Sequence, residues 1–365
     1  MVHVSLSDKE QLVKDGFLSK SALGDLVLYN YTEKTTWERH WIPATIESRG
    51  TVYDSLTGEC VARAFDKFFN LNEHETTRLE NLPQGEPFSV VEKVDGSLGI
   101  LFKHEGAWRV CTRGSFHSEQ AAEATKMLDM YRLDRLAPGI TLMFEIIYPS
   151  NRIIVNYGDE RKLVLLGARF TESGEHLPSK EVAGIAYECG FQLPKLYSHS
   201  LEDAIALQQT LSWQDEGFVI FYDRLGLRVK VKGAEYMRIA RMKSYLSPLS
   251  VWEAMLVGKY EEYAREMPEE LRPELEEIHG KLGHQYGQLA LQLMTWANVL
   301  GVARLNASAS KEERKEQALK VQKAPKEVQG ALFAHMCDKE FYPVLLDRMR
   351  PNGNSYVELK IEMPQ

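Results

Sequence analysis

The sequence predicts an α+β protein, with strands and flanking helices over residues 1–240 and an all-helical part over 241–365. Three observations predict it. Short apolar or alternating runs, separated by turn residues, fill the first two thirds of the chain. From about residue 237 helix formers dominate and strand signals nearly vanish. The length of 365 residues is enough for about two domains, each burying its own core.

Strands are expected over 25–31, 88–93, 98–102, 108–112, 141–147, 163–168, 217–222 and 227–231, with turns between them such as Thr57-Gly58, Asp95-Gly96 and Glu105-Gly106. The runs 98–103 and 108–112, joined through His104-Glu105-Gly106, read as a β-hairpin. Apolar residues at helical spacing predict helices over 118–133 and 200–211. Glu202 and Asp203 stand near the start of the second, where the helix dipole favours acids. The second part reads as helices over 250–265, 269–300, 311–321 and 326–348, broken at Pro268, Gly301, Pro325 and Pro351.

Composition excludes several classes. With 44% hydrophobic and 26% charged residues, the chain is neither disordered nor collagen-like nor a coiled-coil rod. No run approaches the roughly 18 apolar residues of a membrane span. The opening MVHVSLSDKEQLVKDGF has acids and no apolar signal core, so a cytoplasmic location is expected. A net charge of −8 excludes bulk electrostatic binding of nucleic acid, so any polyanion needs a local cluster of cations. Cys60, Cys111, Cys189 and Cys337 form no CxxC pair, and His279 and His284 lack helical ligand spacing. Neither a disulfide framework nor a zinc site is expected.

The informative stretch is Glu92-Lys93-Val94-Asp95-Gly96-Ser97, in which a β-run delivers a lysine to a tight Asp-Gly turn. Alone, K-x-D-G is a common strand-end pattern. In order along the chain, the other charged segments are Arg49-Gly50, Asp66-Lys67-Phe68-Phe69-Asn70, Arg113-Gly114-Ser115, Phe144-Glu145, Glu216-Gly217 and Lys230-Val231-Lys232. Most lie in or beside apolar β-runs, where charge is costly unless it is paired or engages a ligand. Lys230 and Lys232 are two apart and share a strand face. Two neighbouring cations favour a shared anion, and a triphosphate is such an anion.

Read together, these segments resemble the covalent nucleotidyltransferases, the superfamily of ATP-dependent ligases and mRNA capping enzymes. The flanks RGTVYD, ARAFDKFFNLNE, EKVDGSLG and TRGSFHSEQA resemble the RNA ligase 1 family of T-even bacteriophages, over roughly residues 25–240. The resemblance implies a nucleotidyltransferase (adenylation) domain of antiparallel sheets over 1–240, and ATP with Mg2+ or Mn2+ as cofactors. Lys93 matches the nucleophile that attacks the α-phosphate, releases pyrophosphate and forms lysyl–AMP. AMP then passes to an RNA 5′-phosphate, and a 3′-hydroxyl displaces it to seal the strand. An ordinary lysine, with a pKa of about 10.4, must first lose its proton, helped by neighbouring cations or a metal. Glu145 and Glu216 match the carboxylates of the third and fourth motifs, the first as a ribose or metal ligand and the second as a metal ligand. Lys230 and Lys232 match the lysines that hold the α-phosphate region. Arg49 and Lys67 match cations that grip the β- and γ-phosphates. Arg113 stands where the phage pattern has lysine. Glu92, Asp95 and Gly96 complete the nucleotide-binding turn, and Tyr29 and Tyr236 match positions near the nucleotide. Taken singly, Tyr29, Tyr236 and Asn70 read better as structural residues, and Glu145 has Arg152 and Arg169 as rival ion-pair partners.

DNA ligases and capping enzymes usually continue into an OB-fold, whereas this chain turns helical, which favours RNA ligase. No N-terminal nicotinamide-binding domain is expected, which favours ATP over NAD. The expected partner is RNA with 5′-phosphate and 3′-hydroxyl ends, such as nicked tRNA, bound by a monomer. From Arg304 to Lys326, seven cations and three acids make a basic helical patch that reads equally as an RNA surface or a solvated face. The competing readings are a GTP-dependent capping-type guanylyltransferase and a non-catalytic RNA-binding module.

Overall fold

A computed structural model describes residues 5–357. The chain forms two compact units, Met1–Met237 and Arg238–Gln365.

The first unit holds three sheets. One is an antiparallel meander of Leu18–Leu23, Leu26–Tyr31, Arg49–Asp54 and Cys60–Ala62. A second runs in the order Lys162–Phe170, Ile140–Ile147, Ser97–His104 and Ala107–Thr112, all antiparallel. Its middle strands are buried on both faces, so their sequence is continuously apolar rather than alternating. Leu101, Leu142, Phe144 and Ile146 face the helices Glu119–Met127 and Ser179–Cys189. Ile100, Phe102 and Met143 face the meander, against Leu26, Leu28 and Val52.

The third sheet runs Leu196–Tyr197, Ser89–Glu92, Gly217–Tyr222, Leu227–Lys232 and Phe69–Asn70. Its last pair is parallel, which departs from the otherwise antiparallel pattern. Val90, Phe218, Ile220, Val229 and Val231 form one core face, closed by Ala204 of the helix Leu201–Leu207. Period-2 alternation therefore turns Val91, Val219, Phe221, Arg228 and Lys230 to the opposite face, which lines a cleft.

In the second unit the helices are Pro248–Leu256, Tyr260–Glu266, Arg272–Leu300, Lys311–Val321, Lys326–Met336 and Tyr342–Arg348. Leu275, Leu282, Leu289 and Leu293 of the long helix are buried. Trp252 is buried, and its indole N–H donates to the Leu346 carbonyl at 2.7 Å. Within the basic stretch, Arg304 pairs with Asp338 and Lys320 with Glu316, while Lys311, Lys315, Lys323 and Lys326 have no ion pair among the described residues.

All eight expected strands are present. The helix expected over 250–265 is two helices because Gly258, at φ +69°, ends the first. The helix expected over 326–348 breaks at Asp338, at φ +50°. The one expected over 118–133 ends at Met127 and tightens into a 3-10 turn.

Candidate active site

The cleft lies between the second and third sheets of the first unit and encloses about 790 Å³, within the range of small-molecule sites. Lys93 follows directly on the strand Ser89–Glu92, and its backbone N–H donates to the Gly217 carbonyl at 2.9 Å. That bond continues the ladder by one residue and places the lysine beside the start of the strand Gly217–Tyr222. Lys93 Nζ donates to Glu216 Oε2 at 2.6 Å, and Lys232 Nζ meets Glu216 Oε1 at 2.9 Å. Glu216 is buried, so one carboxylate is shared by two ammonium groups.

The Asp-Gly turn is fixed from both sides. Asp95 is buried and its Oδ2 accepts from the backbone N–H groups of Ile154 and Val155, each at 2.8 Å. Its Oδ1 accepts from the Tyr236 hydroxyl at 2.7 Å. At Gly96 a Cβ would lie 2.8 Å from the Ile146 carbonyl and 3.0 Å from Glu145 Cγ. Only glycine lets the turn pack this closely on the strand that carries Glu145.

Glu145 lies two residues beyond Met143, on the same face of its strand, where the apolar core gives way to the cleft. Its carboxylate has no hydrogen bond or ion pair among the described residues. Its rival partners are engaged elsewhere: Arg169 pairs with Asp66 at 2.8 Å, and Arg152 donates to the Ile154 carbonyl. Burial pushes the Glu145 carboxyl up to about 8, with Glu216 and Asp95 adding to it and Lys93 and Arg49 opposing.

Lys230 lies over the Phe68 ring, 4.4 Å from its centroid, and also lacks an acidic partner within ion-pair distance among the described residues. Burial, reinforced by Arg49, Lys67, Lys93 and Lys232, pushes its amine down to about 6. Arg49 lines the cleft with its Nη1 buried and unpaired. Burial lowers its proton affinity too. Arg113 stands at the rim, donating to the Tyr31 hydroxyl at 3.0 Å. Lys67 lies over the Phe69 and Trp41 rings, with Glu73 at 3.7 Å. Glu92 lines the cleft and accepts from the Lys195 backbone N–H.

The structure thus brings Arg49, Lys67, Glu92, Lys93, Gly96, Arg113, Glu145, Glu216, Lys230 and Lys232 to one region. It does not bring Tyr29 there. Tyr29 packs in a small core with Leu18 and Tyr53, and its hydroxyl donates to Glu10 at 2.5 Å. Asp95 and Tyr236 sit behind the lysine, bonded to each other and buried, rather than lining the cleft. Sequence reasoning missed Arg228, which lies 3.8 Å from the Phe221 centroid and 4.0 Å from that of Phe65. The signal was available: Arg228 is two residues before Lys230 and shares its face.

Among the described residues no three metal-ligating side chains converge. Mg2+ is ordinarily held by one or two carboxylates with substrate phosphates and waters. Glu145, a half-buried acid without an ion-pair partner among the described residues, and Glu216 fit that donor set.

The sequence family of T4-type RNA ligases matches residues 47–237. A provisionally named RNA ligase of Thermovibrio ammonificans is 31% identical over 60% of this chain and 59% of its own. A provisionally named bifunctional polynucleotide kinase/RNA ligase of Autographa californica nuclear polyhedrosis virus is 26% identical over 67% of this chain. The match spans only 38% of that viral protein. The RNA ligase of Rhodothermus phage RM378 is 26% identical over 78% of each chain. With more than half of its residues matched by the family, among them all those that line the cleft's charged floor, the protein belongs to the T4-type RNA ligase family.

Proposed function

We propose that the protein is an ATP-dependent RNA ligase that joins 5′-phosphate and 3′-hydroxyl ends through a lysyl–AMP intermediate on Lys93. The observation that carries this reading is the Lys93 amine, bonded to a buried glutamate beside a cleft that Lys230 and Arg49 line without ion pairs among the described residues.

Glu216 Oε2 is positioned to take the proton that Lys93 must lose before it attacks the α-phosphate. The new N–P bond forms as the P–O bond to pyrophosphate breaks. Lys230, Arg49 and Lys67 then face the departing charge, and Lys230 and Arg49, without an ion pair among the described residues, are available to it. Lys232 keeps Glu216 oriented while its ammonium borders the same phosphate. Asp95 acts indirectly: by tying the turn to residues 154–155 and to Tyr236, it fixes where the amine points. Glu145 and Glu216 would hold Mg2+ or Mn2+, which neutralises phosphate charge when bound. The two later steps are also displacements at phosphorus, so positioning and charge neutralisation suffice for all three. RNA broken in a single-stranded loop, such as nicked tRNA, is the substrate that the family relationship favours.

Incubation with α-labelled ATP and a divalent ion should label the chain covalently, and Lys93→Ala should abolish the label. GTP in a parallel tube should label weakly or not at all. A wild-type chain that stays unlabelled overturns the reading.

A further inference from the structure

A second cavity of about 280 Å³ adjoins the cleft and shares Phe65, Phe68 and Arg228 with it. We propose that this cavity, walled by Phe69, His74, Lys67 and Arg228, holds the 5′-terminal nucleotide of the RNA strand that accepts AMP. This rests on the ligase reading above and adds to it a binding site.

The placement follows from displacement chemistry. Lys93 attacks the α-phosphorus, and pyrophosphate leaves on the side opposite the amine. In the next step an oxygen of the RNA 5′-phosphate attacks the same phosphorus. The P–N bond to Lys93 breaks, and the amine leaves and regains a proton. An in-line attack must come from the side opposite that amine, along the path by which pyrophosphate departed. The 5′-phosphate therefore lies past Lys230 as seen from Lys93, and its nucleoside extends further the same way.

Sheet order says what is there. Across the sheet, the strand ending at Glu92 is followed by Gly217–Tyr222 and then by Leu227–Lys232, which carries Lys230, two strand spacings or about 10 Å away. One strand further is Phe69–Asn70, paired with Val229 and Lys230. The second cavity opens at that edge.

Its chemistry fits a nucleotide. Phe69 and His74 stack at 4.2 Å, 11° from parallel, which leaves the outer face of the His74 ring as the stacking surface. Bases stack on such walls whatever their sequence. Lys67 sits 4.5 Å from the Phe69 centroid and brings charge to the wall. Arg228 is 8% exposed and has no ion pair among the described residues. A buried guanidinium clamped between two rings without a carboxylate is suited to a phosphate oxygen. The cavity has room for one nucleotide, so an unpaired end is the occupant it selects.

The test is His74→Ala, with His74→Phe as the variant that keeps a ring. Both should be labelled by ATP as well as wild type, since His74 is not among the residues assigned to that step. Transfer of AMP to a 5′-phosphorylated oligoribonucleotide should show a KM raised roughly ten-fold in His74→Ala and restored in His74→Phe. The wild type should handle an oligonucleotide with an abasic 5′-terminal residue about as poorly as His74→Ala handles the normal one. Equal use of the abasic and normal ends by wild type, or an unchanged KM in His74→Ala, overturns the proposal. Failure of the wild type to be labelled would count against the ligase reading alone. Calorimetric binding of the same two oligonucleotides would then decide the cavity: base-dependent binding lost in His74→Ala supports it, and base-independent binding overturns it.

Discussion

Glu145 and Lys230 share one cleft, and each is held toward its neutral form. Their protons consequently report on folding. Glu145 sits at about 8 in the fold against an ordinary 4.5, so between those values the native state binds more protons than the unfolded one. Its contribution to stability falls as pH rises from 4.5 to 8. Lys230 sits at about 6 against 10.5, so the unfolded state binds more protons in that window. Its contribution rises with pH from 6 to 10.5. Thermal melts across pH should show Glu145→Gln losing the falling limb and Lys230→Met losing the rising one. Melts that track wild type at every pH would refute both assignments. Site residues at this scale were legible in part. Lysines and glutamates beside apolar strands stand out because their burial is costly. Tyr29, which the resemblance set near the nucleotide and which read as structural when taken singly, meets Glu10 in the fold.

At the level of elements, the site hangs on two turns. The strand Gly217–Tyr222 begins with Gly217 at φ +129°, where an added Cβ would fall 2.1 Å from the Val231 carbonyl. This conformation lets Glu216 reach both Lys93 and Lys232. Gly217→Ala should cost about 2–3 kcal/mol by urea denaturation, from backbone strain and the clash together. It should also abolish ATP labelling under conditions where the variant remains folded. An unchanged urea midpoint would show that the turn relaxes freely. The long apolar strands were legible because they are buried and bounded by turn residues. Leu18–Leu23 was not: its Ser-Lys-Ser centre is mostly exposed at a sheet edge, and nothing local marks it as a strand. Phe69–Asn70 is too short for any periodicity, and its parallel partner lies some 160 residues away in sequence.

For the molecule as a whole, each candidate catalytic side chain belongs to the first unit, which has its own cores. A fragment of residues 1–245, which includes the whole helix Ala234–Tyr245, should therefore fold and still be labelled by ATP. Loss of labelling in a folded fragment would show that the second unit takes part in the first step. In the sequence, strand-forming stretches give way to helix formers from about residue 237.

The carboxylate shared by Lys93 and Lys232 has one more consequence. Two ammoniums against one buried acid leave that corner with a surplus positive charge inside a protein whose overall balance is −8. Its isoelectric point is thus a poor guide to handling. Phosphate and sulfate buffers will compete for this spot, and a phosphate-bearing resin will find a foothold on a protein that bulk charge says it should repel.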